Sequence, residues 1–218
     1  MRQAVCALIV LLFAVVKSNG QENRLAFGIK AGPSYTGLSE NPAMEYLRKG
    51  TFKWAFHGGV FLRLPLSKYF SIQPELNYSG QGQKTEYVYS GYRQQTEVTL
   101  QYITVPLLIN VKGINIQGTK NINIQVGAQY GYLLSGDEPF DYPQNKQMFA
   151  SHDFSLCGGL SVNFTDNVSF GARYTHGLTD INYLNPLNIA FFSIGPYNFP
   201  PFEAEKNRIF QVFVSYSF

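Results

Sequence analysis

Charge is scarce in this 218-residue chain: Asp, Glu, Lys and Arg together make up 14% of it. The 17 basic and 14 acidic residues leave a formal charge of +3, and the basic ones gather into no stripe, so nucleic acid is not an expected partner. Cysteine is nearly missing. Of the two, Cys6 lies in the N-terminal apolar run and Cys157 stands alone, which leaves no framework of disulfides. His57, His152 and His176 show no metal-ligand spacing. No nucleophile motif accompanies them, so no catalytic residue, metal or cofactor is expected. Beyond the N-terminus there is also no apolar run long enough for a membrane-spanning helix. Yet 45% of the residues are hydrophobic and 16% aromatic, and that surface has to be covered by something.

The N-terminus reads as an export signal. Met1-Arg2 is a short positive start, Ala4 to Val16 an apolar run of signal length, and Lys17-Ser18-Asn19-Gly20-Gln21 a small, polar exit. Cleavage is expected near Gly20, giving a signal peptide over 1–20 and one domain over 21–218. Without Arg2 and Lys17 the mature chain holds 15 basic and 14 acidic residues.

The rest alternates with period two. In the third segment Phe70, Ile72, Pro74, Leu76 and Tyr78 oppose Ser71, Gln73, Glu75, Asn77 and Ser79. The last carries Phe210, Val212, Val214, Tyr216 and Phe218 on one face, and Ile209, Gln211, Phe213, Ser215 and Ser217 on the other. Similar patterns predict strands at about 25–35, 54–64, 70–79, 98–111, 121–134, 154–164, 168–175 and 207–218. Pro106 cannot donate a ladder hydrogen bond, so a bulge or phase change is expected there. The connections after the second, fourth and sixth strands are short. Those after the first, third, fifth and seventh are long: 36–53, 80–97, 135–152 and 179–206.

These features predict an all-β fold, an eight-stranded antiparallel transmembrane β-barrel with short periplasmic turns and long outer loops. A soluble barrel with the apolar face inside is the rival. The interior of eight strands is just wide enough for side chains to fill. The Phe, Tyr, Leu and Ile face is too bulky for it, whereas the Gly, Ser, Asn and Gln face fits. The apolar face is therefore expected to meet outer membrane lipid.

With the strands laid out, the chain resembles the PorT family of outer membrane β-barrel proteins, common in Bacteroidota. The resemblance rests on Phe27-Gly28-Ile29-Lys30-Ala31-Gly32, Ser71 to Tyr78 with Gly82, and Tyr102-Ile103-Thr104-Val105-Pro106-Leu107-Leu108. It continues through Val126-Gly127-Ala128 to Leu134, Gly171 to Ile181, and Asn207-Arg208-Ile209-Phe210. It covers most of the mature chain in order, and its motifs are strand and turn motifs. What it implies is an outer membrane barrel; founding members of the family resemble components of protein secretion across that membrane.

Three groups of residues are candidates for a role. Lys30, Arg63, Glu75 and Arg173 fall on inward faces, with Glu75, Lys30 and Arg173 at similar heights, and are expected to form a structural charge cluster in the lumen; an ion or proton path is the alternative. Tyr216 and Phe218 are expected to serve as a C-terminal signal read by the barrel-assembly machinery. The fourth outer loop carries Phe191, Phe192, Tyr197 and Phe199 among prolines. It either folds back over the barrel mouth or offers an apolar patch to a protein partner. Two functions remain: a filled barrel with a structural or interaction role, accessory to secretion, or a narrow porin-like channel for small solutes or ions.

Overall fold

The computed structural model describes residues 25–39, 48–89, 92–113, 122–137, 149–181 and 205–218. The signal segment and the aromatic residues of the fourth outer connection lie outside them. Among the described residues there are nine strands: β1 (Ala26–Leu38), β2 (Arg48–Thr51), β3 (Lys53–Pro65), β4 (Phe70–Tyr89), β5 (Tyr92–Lys112), β6 (Ile122–Asp137), β7 (His152–Asn163), β8 (Val168–Gly177) and β9 (Asn207–Ser217). Eight of them form a closed antiparallel ring in the order β4-β3-β1-β9-β8-β7-β6-β5, with β5 returning to β4. The first and last long strands close it, Ile29 opposite Tyr216 and Ser34 opposite Gln211. Closure leaves no unpaired edge at membrane depth, which is the condition for strands to cross a bilayer.

The burial pattern is that of a soluble protein turned inside out. Gln73, Asn77, Gln125, Thr175 and Ser215 are buried, while Phe27, Ile29, Leu76, Leu107, Val126, Leu160 and Val214 are exposed. A cation on a lipid face costs about 2–4 kcal/mol at the membrane midplane. From the lower girdle of Phe27, Phe70, Phe164, Tyr216 and Phe218 to the upper one of Tyr35, Trp54, Tyr132, Phe154, Tyr174 and Phe210, no described outward residue is charged. From Phe218 to Phe210 a tilted strand climbs about 20 Å, near the height of about 25 Å typical of an outer-membrane apolar band.

Two short turns use one device. Ser67 Oγ accepts the Phe70 amide at 3.1 Å and Thr165 Oγ1 accepts the Val168 amide at 2.9 Å. In each, the residue just past the incoming strand donates its amide to the first residue of the next: Leu66 to the Phe70 carbonyl at 2.9 Å, Phe164 to the Val168 carbonyl at 2.8 Å.

Two expectations are corrected. Residues 80–97 are not a loop: β4 and β5 stay paired from Phe70 opposite Val111 to Tyr89 opposite Tyr92, so a hairpin stands above the barrel with β2 on its β4 side. Alternation simply continues along it, with Gln81, Gln83 and Thr85 buried and Lys84 exposed. The pairing of β4 shifts by one residue between β3 (His57 opposite Ser79) and β2 (Thr51 opposite Lys84). Gly82 sits in that interval with φ 125°, a conformation suited to glycine. Pro106 makes no bulge either. The β4–β5 register is the same on both sides of it, from Pro74 opposite Leu107 to Asn77 opposite Thr104, and only the pairs between are missing. The irregularity of β5 is at Gln101/Tyr102. An inward proline loses its donor without needing an extra residue.

Candidate functional site: a packed, charged lumen

The lumen is built on glycine–aromatic pairs. Gly28 faces Phe61 across β1–β3, and Gly171 faces Phe213 across β8–β9. A Cβ at Gly28 would lie 2.2 Å from Phe61 Cζ, and one at Gly171 2.3 Å from Phe213 Cζ. Each ring therefore lies across its neighbour's bare backbone and fills the barrel where a second side chain would not fit. At Gly59 and Gly159 the neighbouring strand itself comes close: a Cβ would meet the Leu76 carbonyl at 2.2 Å and the Ala172 carbonyl at 2.5 Å, beside Asn77 and Arg173.

Arg173 on β8 and Glu75 on β4 stand on opposite sides of the eight-strand ring, and they meet across the lumen. The guanidinium donates twice, Nη1 to Oε2 at 2.8 Å and Nη2 to Oε1 at 2.9 Å. This fork-to-fork geometry is the strongest form of the contact. Lys30 Nζ donates to Oε2 as well. Gln73 Nε2 and Asn77 Nδ2, from the flanking inward positions of β4, donate at 2.7 and 3.1 Å. Every lone pair of this buried carboxylate thus has a partner. Arg173 Nη2 also reaches Gln125 Oε1 at 2.9 Å, Gln125 donates to Asn110 at 2.9 Å, and Asn110 returns to Gln73 at 3.2 Å. The loop of hydrogen bonds ties β4, β5, β6 and β8 together. Two cations face one anion, and both lie over the Phe213 ring, Lys30 Nζ at 5.1 Å and Arg173 Cζ at 5.4 Å from its centroid. A ring face stabilises such excess positive charge.

The structure thus brings Lys30, Glu75 and Arg173 together. Arg63 stands one bond away: its Nε donates to Gln73 Oε1 at 3.1 Å, and its guanidinium lies 5.5 Å from the Phe61 ring centroid. His57 is buried beside the network, 2.9 Å from Ser34 Oγ and edge-on to Phe213. His152 and His176 are on outward faces, held by Tyr130 at 2.6 Å and Tyr174 at 3.4 Å. The histidines are therefore not gathered. Cys157 is a buried, free thiol facing the lumen.

A second feature escaped the reading of the sequence. At the outer end of the barrel Leu38, Val98, Leu100, Tyr102, Leu133, Phe149 and Ile181 form one buried apolar cluster. Backbone bonds hold its contributors from outside the strands: Ala150 to the Ile181 carbonyl at 2.8 Å, Leu133 to Ser151 at 2.9 Å and Ile181 to Glu205 at 2.9 Å. The signal lay in β5, whose inward residues change from Thr104 to Tyr102, Leu100 and Val98. Phe149 and Ile181 lie outside any alternating segment, and no pattern announces them.

A closed antiparallel ring with an apolar outer belt and a packed polar interior defines the class: a transmembrane β-barrel of the outer membrane. The chain belongs to the outer membrane protein beta-barrel domain family, whose model matches residues 17–183. Among solved structures it is similar to Neisserial surface protein A, at 11% identity over 88% of this chain and 97% of that one, TM-score 0.48. It is also similar to OprG from Pseudomonas aeruginosa, at 13% identity over 90% and 97%, TM-score 0.48, and to Ail of Yersinia pestis, at 10% identity over 88% and 98%, TM-score 0.44. No curated protein matches the chain significantly.

Proposed function

We propose that this protein is a closed outer-membrane scaffold, with a structural or interaction role and neither a conducting pore nor a catalytic site. The observation that carries this reading is the pairing of Arg173 with Glu75 across the full width of the lumen, below an apolar cap. An eight-stranded interior filled to this degree has no through-path for a solute. The resemblance to the PorT family supports the finer reading, an accessory to protein secretion across the outer membrane. In it the precursor loses residues 1–20 on export, the barrel-assembly machinery reads Tyr216 and Phe218, and the loop with Phe191, Phe192, Tyr197 and Phe199 meets a protein partner.

A narrow channel for small solutes or ions is the second reading. Buried polar atoms of His57, Asn77 and Gln81 lack a protein partner among the described residues, which favours water in part of the lumen. Purified protein in planar bilayers separates the two. The scaffold gives no reproducible current steps; regular unitary steps from the native protein would replace it with the channel.

A further inference from the structure

Just above the lipid belt the outward face of β9 turns from apolar to charged. Along β9 the outward positions run Tyr216, Val214, Val212, Phe210 and then Arg208, with Lys206 next above. Arg208 stands opposite His176 of β8 and Gly37 of β1. The His176 ring, hydrogen-bonded to Tyr174, walls one side. Phe52 packs over the bare backbone of Gly37 on the other, where a Cβ would meet its ring at 3.0 Å. Arg208 Nε is buried and, among the described residues, has no hydrogen-bond partner. Among the described residues no carboxylate pairs with Arg208 or Lys206: the ion pairs are those of Lys30, Lys53, Lys84, Arg93 and Arg173. Asp180 accepts the backbone amide of Glu205, the residue before Lys206, at 3.1 Å.

Two cations one strand-repeat apart therefore face outward, immediately above the last ring of lipid-facing aromatics. That height is the headgroup layer of the outer leaflet. An outward side chain at that level meets lipid headgroups rather than lumen or periplasm. We propose that Arg208 and Lys206, flanked by His176, form a binding site for the phosphate group of an outer-leaflet lipid. The chemistry selects the ligand. The planar guanidinium presents its two terminal Nη groups, which have no hydrogen-bond partner among the described residues, to two oxygens of a phosphate, and an ammonium just above adds a point charge. The aromatic residues beneath, Phe210 and Tyr174, accept the acyl chains of the same molecule. A lipid thus satisfies both halves of the surface, whereas free phosphate satisfies only one.

The test uses the full folded protein in uncharged detergent micelles. The probes are a phosphorylated lipid A-type glycolipid, its dephosphorylated form and inorganic phosphate, and retention is read by native mass spectrometry. The wild type should retain the phosphorylated glycolipid at least about tenfold better than the dephosphorylated one, the scale of one charge-assisted contact. The Lys206→Gln/Arg208→Gln variant should lose that preference while keeping its heat-modifiable gel shift, and Arg208→Lys should keep part of it. Equal retention of the two glycolipids overturns the proposal, as does a double variant with undiminished preference. Competition by inorganic phosphate at the glycolipid's own concentration would mean an ion site without a lipid, and would overturn it too.

Discussion

Glu75 shows how much of this barrel depends on single side chains. Its carboxylate accepts from Arg173, Lys30, Gln73 and Asn77 at once. Removing one partner of a buried pair is far costlier than the pair itself contributes, because the other charge stays behind. Glu75→Gln leaves two cations against one neutral amide, and should lower unfolding stability by about 3–5 kcal/mol. Heat-modifiability in detergent would show the folded band shifting at a lower temperature; an unchanged transition would remove the network from the stability of the barrel. Glycines give a second contrast at this scale. Gly171→Ala drives a Cβ into the Phe213 ring and should cost about 1–3 kcal/mol through overpacking. Gly158 faces outward with nothing within 4 Å of an added Cβ, so Gly158→Ala should stay within about 0.5 kcal/mol of the wild type. Equal effects at the two positions would contradict the packing described for the lumen.

Among the elements, β9 joins assembly to closure. Phe218 donates its amide to the Phe27 carbonyl at 2.8 Å and stacks on the Phe27 ring at 5.8 Å. One exposed aromatic pair contributes about 0.5–1.5 kcal/mol. Deleting Phe218 should therefore reduce the amount of barrel assembled in cells far more than the melting temperature of what does assemble. Deleting Ser217 instead moves the aromatic to an inward position and breaks the phase. Normal assembly of both variants would show that the terminal aromatic is not a signal. The strands themselves were legible because a residue's face decides its type almost without exception. Lys30, Glu75 and Arg173 were legible as a group because they are inward charges at one height. The bulge at Gln101/Tyr102 was not, because it leaves the burial alternation from Val98 to Asn110 intact. The hairpin above the barrel was missed for the opposite reason: above the membrane both of its faces carry polar residues, so period two no longer shows as a contrast of hydrophobicity.

Taken whole, the molecule has two closures of different chemistry stacked along one axis. The lower is the hydrogen-bonded crossing of Arg173 and Glu75; the upper is the cluster of Leu38, Val98, Leu100, Tyr102, Leu133, Phe149 and Ile181. Each spans strands that the other also touches, since β1 carries both Lys30 and Leu38 and β5 both Asn110 and Leu100. Two closures in series give a specific expectation. Leu100→Ala with Leu133→Ala opens a cavity in the cap and leaves the crossing intact, so planar-bilayer recordings should stay silent. Glu75→Ala with Arg173→Ala removes both partners of the crossing and leaves Lys30 as a buried cation over the Phe213 ring, which draws water into the space they vacate; with the cap intact, this variant should also be silent. Only the four substitutions combined should give current, small and brief, because eight strands still enclose a lumen little wider than its side chains. Steps from the first pair alone would assign the whole barrier to the cap, and steps from the second pair alone would assign it to the crossing. Silence from the combined variant, with its folded gel shift preserved, would mean that Phe61 and Phe213, lying across their glycines, close the barrel by themselves.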